Sequence, residues 1–349
     1  PASVIDRRKM RFLADGSAWA YIAAEQAIQD SGLEPNEVSH ELTGLVVGTG
    51  GPSPRAIVAA ADVTRQKSAK QVGPFAVPKA MCSMASATLS TYLGIQGINF
   101  SISSACATSN NCIGHAYELI GWGRQDVMIA GGGEELDWTL SVLFDGMNAM
   151  SSKFNDQPSR ASRAFDKDRD GFVIAGGAGI LVLEEYERAK ARGARIYAEI
   201  IGYGSTSDGD DMVLLSGDGA RRCMRQALST TKGPIDYINP HATSTPIGDV
   251  REMEAVRDVF GDKVPTISAT KSLTGHSLGA AGAHEAIYSI LMMNNGFVCE
   301  SAHIDEIDPE IDGMPIARTR QDNVELNQVM SNAFGFGGTN AALVFGKVH

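Results

Sequence analysis

Short β-branched runs alternate with helix-like stretches along the chain, and this alternation restricts the fold more than any other feature. Gly44-Leu45-Val46-Val47, Asn99-Phe100-Ser101-Ile102-Ser103, Asp126-Val127-Met128-Ile129-Ala130 and Ile180-Leu181-Val182-Leu183 read as strands. Between such runs lie helical patterns: residues 17–32, with Ser17 as a cap and Gly32 as the stop, and residues 248–260, with an acidic face. The expectation is an α/β protein in layers. At 349 residues the chain is too long for one ordinary domain and suits two, or one fused pair. Its 38 glycines and low aromatic content (7%) suit tightly packed helices and sheets.

A weak internal echo supports two halves. Ser101-Ile102-Ser103-Ser104-Ala105-Cys106 before a helix is echoed by Ile267-Ser268-Ala269-Thr270-Lys271 before a Gly/Ala-rich helix. Gly176-Gly177-Ala178-Gly179-Ile180-Leu181-Val182-Leu183 is echoed by Gly337-Gly338-Thr339-Asn340-Ala341-Ala342-Leu343-Val344. The boundary then falls near residues 186–198, and the expected division is residues 1–190 and 191–349.

Several classes are disfavoured. The longest apolar stretch, from Phe172 to Leu183, is interrupted by glycine and runs into Glu184-Glu185, so no membrane span is expected. The first residues, Pro1 to Lys9, lack the charged-then-apolar order of a secretory signal, so the expected compartment is the cytoplasm. Five cysteines (Cys82, Cys106, Cys112, Cys223, Cys299) without a CxxC pair argue for free thiols in a reducing environment. A net charge of −11 would repel nucleic acid and anionic membranes, although Arg7, Arg8, Lys9 and Arg11 cluster, as do Arg65, Lys67 and Lys70. On charge alone each cluster reads as a solvated face.

Four segments carry candidate chemistry. Cys106 follows a strand and precedes a helix whose apolar positions Ile113, Ala116, Leu119 and Ile120 share a face, so its thiol would meet unpaired N–H groups and the positive end of the helix dipole. A small buried core cysteine is the competing reading. His241 and His276 stand in small polar loops, in Asn239-Pro240-His241-Ala242-Thr243-Ser244-Thr245-Pro246 and Lys271-Ser272-Leu273-Thr274-Gly275-His276-Ser277-Leu278-Gly279, where an imidazole can meet a ligand. His40, His115, His284, His303 and His349 read as surface or structural residues. Asn332-Ala333-Phe334-Gly335-Phe336-Gly337-Gly338-Thr339-Asn340 reads as a tight turn whose amides could form an oxyanion hole.

Other patterns carry less. Asp166-x-Asp168-x-Asp170-Gly171 begins like a calcium loop but has Gly177 where a bidentate Glu is needed. Cys112-x-x-His115 and Cys299-x3-His303 are half-sites without the paired spacing of a zinc centre, so no metal is expected. Gly275-His276-Ser277-Leu278-Gly279 matches the serine hydrolase elbow, although no strand leads directly into it and the acid-then-histidine order would rest on His349.

Taken together, these segments resemble the β-ketoacyl-acyl-carrier-protein synthases, the elongating condensing enzymes of fatty-acid synthesis. The resemblance covers essentially the whole chain. It rests on Ser103-Ser104-Ala105-Cys106-Ala107-Thr108-Ser109, Phe165-Asp166 with Arg169-Asp170-Gly171-Phe172-Val173, His241 to Pro246, Lys271 with Gly275 to Gly282, and Gly335 to Asn340. Gly131-Gly132-Gly133-Glu134-Glu135-Leu136 and Gly50-Gly51 look like the synthase I branch.

The resemblance implies a thiolase-like αβαβα fold of two pseudo-repeated halves, a homodimer, and acyl transfer without redox cofactor or metal. It implies Cys106 as the nucleophile, with the Cys106 and Phe336 amides as oxyanion donors. His241 and His276 would stabilise the enolate formed as malonyl-acyl carrier protein loses CO₂. Lys271 is implied as an organiser paired with Glu252 and Glu285. Thr243 and Thr245 would bind the phosphopantetheine arm, and Gly51 would leave room at the deep end of the acyl pocket. Asn239, Glu285, Ser331 and Asn332 match a polar cluster that can hold a monovalent cation, and Arg7, Arg8, Arg11, Lys67 and Lys70 match the basic patch that docks acyl carrier protein.

There are departures from the family pattern. Its opening strand of the Val-Val-Ile-Thr-Gly type has no counterpart here, so either the first half lacks that strand or the sequence is part of a longer chain; Ala242 replaces a glycine, and Pro240 a small polar residue. A thiolase is disfavoured because Phe336 stands where a second cysteine would be, and a catalytically silent chain-length subunit because Cys106 is present.

Overall fold

The computed structural model describes residues 1–348; His349, and any role resting on it, lies outside them. The chain forms two compact units. The first comprises Pro1–Leu143, Gly176–Arg195 and Leu278–Ala283; the second takes Phe144–Ala175, Ile196–Ser277 and the chain from His284 onward.

In the first unit, β1 (Thr43–Gly48), β2 (Asn99–Phe100), β3 (Val127–Glu134) and β4 (Gly177–Glu184) form one sheet in the order β2-β1-β3-β4. β1 runs parallel to β2 and β3, and β4 closes the sheet antiparallel to β3. β3 continues through Gly131-Gly132-Gly133 to Glu134, four residues beyond the expected run, because pairing on both edges outweighs the poor strand propensity of glycine. A side chain would not fit there: a Cβ would lie 2.1 Å from Gly179 O at Gly131 and 2.4 Å from Gly16 O at Gly133. The run expected at residues 99–103 shrinks to two exposed edge residues.

The helix Asp15–Ser31 packs on β3 and β4, and Thr108–Gly121 on β1 and β3. Asp15–Ser31 begins two residues before the expected cap. Ser17 lies within its first turn and donates its hydroxyl to Ala14 O (2.9 Å), while Gly32 ends the helix at φ 67° as read from the sequence.

In the second unit, β5 (Glu199–Ser207), β6 (Tyr237–Asn239), β7 (Thr266–Ile267), β10 (Gln328–Gly335) and β11 (Thr339–Gly346) form a sheet ordered β5-β11-β10-β6-β7, and β8 (Phe297–Val298) pairs with β9 (Gln321–Asp322). Its pairing senses repeat those of the first sheet. β6 is parallel to β7 and β10, β10 is antiparallel to β11, and β5 adds a further antiparallel strand on β11. β4 and β11, the two Gly-rich echoes, therefore hold equivalent places, as two pseudo-repeated halves require. The helix Pro246–Phe260 turns Asp249 and Glu252 of its acidic face inward.

Two of the calcium-like aspartates brace the local backbone. Asp166 accepts from Arg163 Nε (3.1 Å) and from the amides of Asp168, Asp305 and Glu306; Asp170 accepts from Ser151 and from the amides of Ser152 and Lys153. Among the described residues, no helix is long and apolar enough to cross a membrane.

Candidate active site

Cys106 lies in a braced turn of the first unit. Ala105 before it adopts φ 49°, a left-handed conformation that costs a non-glycine residue on the order of 1 kcal/mol and survives only where surroundings enforce it. The enforcement is visible. Thr108 Oγ1 accepts from Ser104 N (2.9 Å) and donates to Ala105 O (2.7 Å), and Asn111 Nδ2 donates to Ser104 Oγ (2.7 Å). The helix begins at Thr108, so the buried Cys106 sits just ahead of its first turn.

The other thiols are less suited to attack. Burial pushes Cys112 and Cys223 each up to about 12, and raises Cys299 as well. Cys82 is exposed. In the same unit, a Cβ placed on Gly51 would meet nothing within 4 Å. Arg7, Arg8, Arg11, Lys67 and Lys70 are all exposed. Lys9 turns inward instead, donating to Tyr21 OH (2.5 Å) and lying over the Tyr21 and Tyr92 rings.

The second unit brings the two loop histidines together. The His241 and His276 rings are 5.3 Å apart and nearly perpendicular. Phe172 packs edge-on to His276 (5.4 Å), and Phe334 lies 5.9 Å from His241. The sequence showed both phenylalanines inside motifs but gave no sign that they wall the imidazoles. His276 is fixed through its backbone, its N–H donating to Val173 O (2.7 Å) and its carbonyl accepting from Ala175 N (2.9 Å). Burial holds both imidazoles well below their ordinary pKa; Lys271 depresses both further, and His276 adds to the effect on His241. They are neutral at physiological pH, each keeping one N–H to donate.

Lys271 is itself buried and forms an ion pair with Glu285. Glu252, expected beside it as a second direct partner, instead accepts from His241 N (2.8 Å) and Ala242 N (2.7 Å), and so shapes the His241 loop. Burial lifts Glu252 and Glu285 each to about 7, opposed at Glu252 by those two amides and then Lys271, and at Glu285 first by the Lys271 charge. Ala242 occupies the family's glycine position without a left-handed φ, which explains why a side chain is accepted there.

The remaining expected residues lie close by in this unit. Asn239 is hydrogen-bonded to Thr270 Oγ1 (3.1 Å), and Asn332 Nδ2 reaches Glu252 Oε1 (3.4 Å). Ser331, Asn332 and Glu285 are buried. Thr243 and Thr245 approach through their hydroxyls (3.3 Å) in a loop held by Asp249, which accepts from the amides of Ser244 and Thr245. Phe336 occupies the turn between β10 and β11, partly exposed and 6.4 Å from Phe144.

The hydrolase pattern has one feature the sequence hid: Ser277 Oγ lies 2.9 Å from His284 Nδ1. Ser277 is nonetheless buried, and the short helix Lys271–Thr274 intervenes after β7, so the strand-turn-helix elbow is absent among the described residues.

Comparison with known proteins agrees with this arrangement. The family model described as Beta-ketoacyl synthase, N-terminal domain, matches residues 2–189, and the C-terminal domain of the same family matches residues 197–305. The 3-oxoacyl-[acyl-carrier-protein] synthase 1 of Haemophilus influenzae is 56% identical over 99% of this chain and 85% of its own length. The crystal structure of a beta-ketoacyl synthase from Burkholderia phymatum superposes with TM-score 0.94 at 38% identity, covering 100% of this chain and 86% of that one. A ketosynthase solved in complex with a type II polyketide acyl-carrier protein gives TM-score 0.88 at 30% identity, covering 96% and 85%. With both domains matched in order and an α/β fold shared with solved ketosynthases, the chain belongs to the β-ketoacyl synthase family.

Proposed function

We propose that this chain elongates acyl groups on acyl carrier protein by decarboxylative Claisen condensation with malonyl-acyl carrier protein. The observation that carries the reading is the His241 and His276 pair, two adjoining imidazoles kept neutral by burial and by the Lys271 charge. Neutral N–H donors are what an enolate oxygen needs; a protonated pair would instead invite transfer of a proton to the carbanion and quench it.

Cys106 Sγ attacks the acyl thioester, the Cys106 and Phe336 amides hold the oxyanion, and the carrier thiol leaves. The malonyl group then loses CO₂, and His241 and His276 donate to the resulting enolate. Its carbon attacks the acyl-Cys106 carbonyl, the Cys106 thiolate leaves, and 3-ketoacyl-acyl carrier protein is the product. Loss of CO₂ drives the sequence, so this scheme requires no redox cofactor or catalytic metal.

Lys271, paired with Glu285, acts as organiser, and Thr243 with Thr245 offers hydroxyls to a phosphopantetheine arm. The basic patch suits an acidic carrier protein despite the net charge of −11, and a structural relative is a ketosynthase bound to its acyl-carrier protein. Exposed Trp138, Val142 and Leu143, together with the open edge of β2, favour a homodimer. Five free thiols favour the cytoplasm. Glu285 Oε2 and Asn332 Oδ1, buried without hydrogen-bond partners among the described residues, suit the all-oxygen set of Asn239, Glu285, Ser331 and Asn332 to a monovalent cation.

The test incubates purified protein with acyl- and malonyl-acyl carrier protein beside Cys106→Ala. Formation of 3-ketoacyl product by the wild type alone is expected; equal elongation by Cys106→Ala would sink the assignment. Ser277→Ala, measured in parallel for hydrolysis, should behave as wild type.

A further inference from the structure

The carboxyl of Glu134, at the end of β3, joins three stretches of the first unit. Its Oε2 accepts from Gly50 N (2.8 Å) and from Gly279 N (3.0 Å), and the side chain is only 3% exposed. The carbonyl of the same Gly50 accepts from Ser103 Oγ (3.0 Å), three residues before Cys106. There is no slack in this junction: a Cβ on Gly50 would lie 2.7 Å from Glu134 Oε2, and one on Gly279 would lie 2.2 Å from Gly50 N. The next residue, Glu135, accepts from Ser53 Oγ (2.7 Å) and Arg55 N (3.4 Å). Consecutive carboxyls therefore grip the 50–55 turn at both ends, while Gly51 between them faces open space. The condensation scheme uses neither carboxyl.

We infer that Glu134 is a positioning residue that sets how long an acyl chain is accepted past Gly51, by fixing the 49–51 turn against the 278–283 segment and the Cys106 loop. The inference rests on the condensing-enzyme reading and on Gly51 lying at the deep end of the acyl pocket.

Burial raises Glu134 to about 8, the Gly50 and Gly279 amides oppose that rise, and Glu135 adds to it. Asp15 opens the helix packed on β3 and is paired with Arg55 (2.6 Å), Glu135 is the charge that acts on the Glu134 carboxyl, and residues 49–52 and 278–283 carry no ionisable side chain. Below about pH 8 the carboxyl is neutral and holds its two amides with ordinary hydrogen bonds. Above it, a charge forms in a site that burial disfavours, the amides offset this only in part, and the turn loosens. A firmly held turn keeps the deep end of the pocket open, which matters to a long chain and not to a short one.

The experiment compares acylation of Cys106 by tetradecanoyl- and hexanoyl-acyl carrier protein between about pH 6 and about pH 9, in wild type and Glu134→Gln. Because the result is a ratio of two rates at one thiol, titration of Cys106 itself cancels. The wild-type ratio of tetradecanoyl to hexanoyl rate is expected to fall at least about threefold through pH 8, and the Glu134→Gln ratio to stay flat at the low-pH value. A flat or rising wild-type ratio, or a variant that falls like wild type, overturns the inference; the wild-type profile decides even where the variant folds poorly. Wild-type protein that takes neither acyl group onto Cys106 overturns the condensing-enzyme reading itself.

Discussion

Gly48 and Gly51 stand three residues apart in surroundings so different that alanine at each position has opposite expected effects. A Cβ at Gly48 would lie 2.0 Å from Ile102 O, 2.6 Å from Thr108 Cγ2 and 3.1 Å from Cys112 Sγ. A carbon rests about 3.3 Å or more from a carbonyl oxygen, so Gly48→Ala must displace β1 or the backbone at Ile102 by roughly 1.3 Å. That backbone leads through Ser103, Ser104 and the strained Ala105 to Cys106, and Thr108 holds the same turn through its hydroxyl. Overpacking of this kind costs about 1 to 3 kcal/mol, which in a unit of this size lowers the melting temperature by roughly 2 to 12 °C. A reacting group moved by about 1 Å loses on the order of 10²-fold in rate. Gly51→Ala meets open space, so melting and hexanoyl transfer should match wild type while tetradecanoyl transfer slows. The assay is single-turnover acylation of Cys106 followed by mass spectrometry, beside thermal melting. Wild-type acylation and melting in Gly48→Ala would refute the claim that β1 packing positions the nucleophile.

Lys271→Met removes the charge that helps depress both imidazoles, so the acid limb of the malonyl decarboxylation profile should move to higher pH; an unmoved limb would mean that burial alone keeps them neutral. Glu252 tests the opposite sign. Its folded pKa, about 7, lies above the ordinary 4.5, so its stabilising share is complete below about pH 4.5 and is lost as pH rises through 7. The melting temperature of wild type minus that of Glu252→Gln should therefore fall between about pH 5 and about pH 8, and a difference that grows would contradict the assignment. Reversing charge at Arg8 and Lys70 together should raise KM for acyl carrier protein about tenfold at low salt and leave kcat unchanged, with the difference shrinking as salt screens it.

The legible parts of the fold were those decided locally. β-branched runs marked the centres of β1, β3 and β4, and Gly32 marked a helix end because only its left-handed φ was needed there. The glycine end of β3 was hidden because its strand state depends on partners and close approaches supplied from elsewhere in the chain. Ser17 misled because a serine hydroxyl can serve a helix from within its first turn as well as from its cap. In the candidate site, Cys106, His241 and His276 were visible as residue types in loops, whereas Glu134 was not. Its two amide donors lie 84 and 145 residues away, and no periodicity encodes such a meeting.

The same distinction separates the two carboxylates expected beside Lys271. Two carboxylates directly on one ammonium would cancel its charge and remove its share in lowering the imidazole pKa values. Among the described residues only Glu285 is ion-paired to Lys271, while the two Glu252 oxygens accept from the His241 and Ala242 amides. Enough positive field survives that Lys271 still pushes both histidine pKa values down. The division of labour between two buried acids of similar pKa thus preserves the Lys271 contribution to the low imidazole pKa values, which burial leads, and neutral imidazoles are what enolate stabilisation requires. No residue list could supply that division, since it depends on which hydrogen bonds each carboxylate has already made.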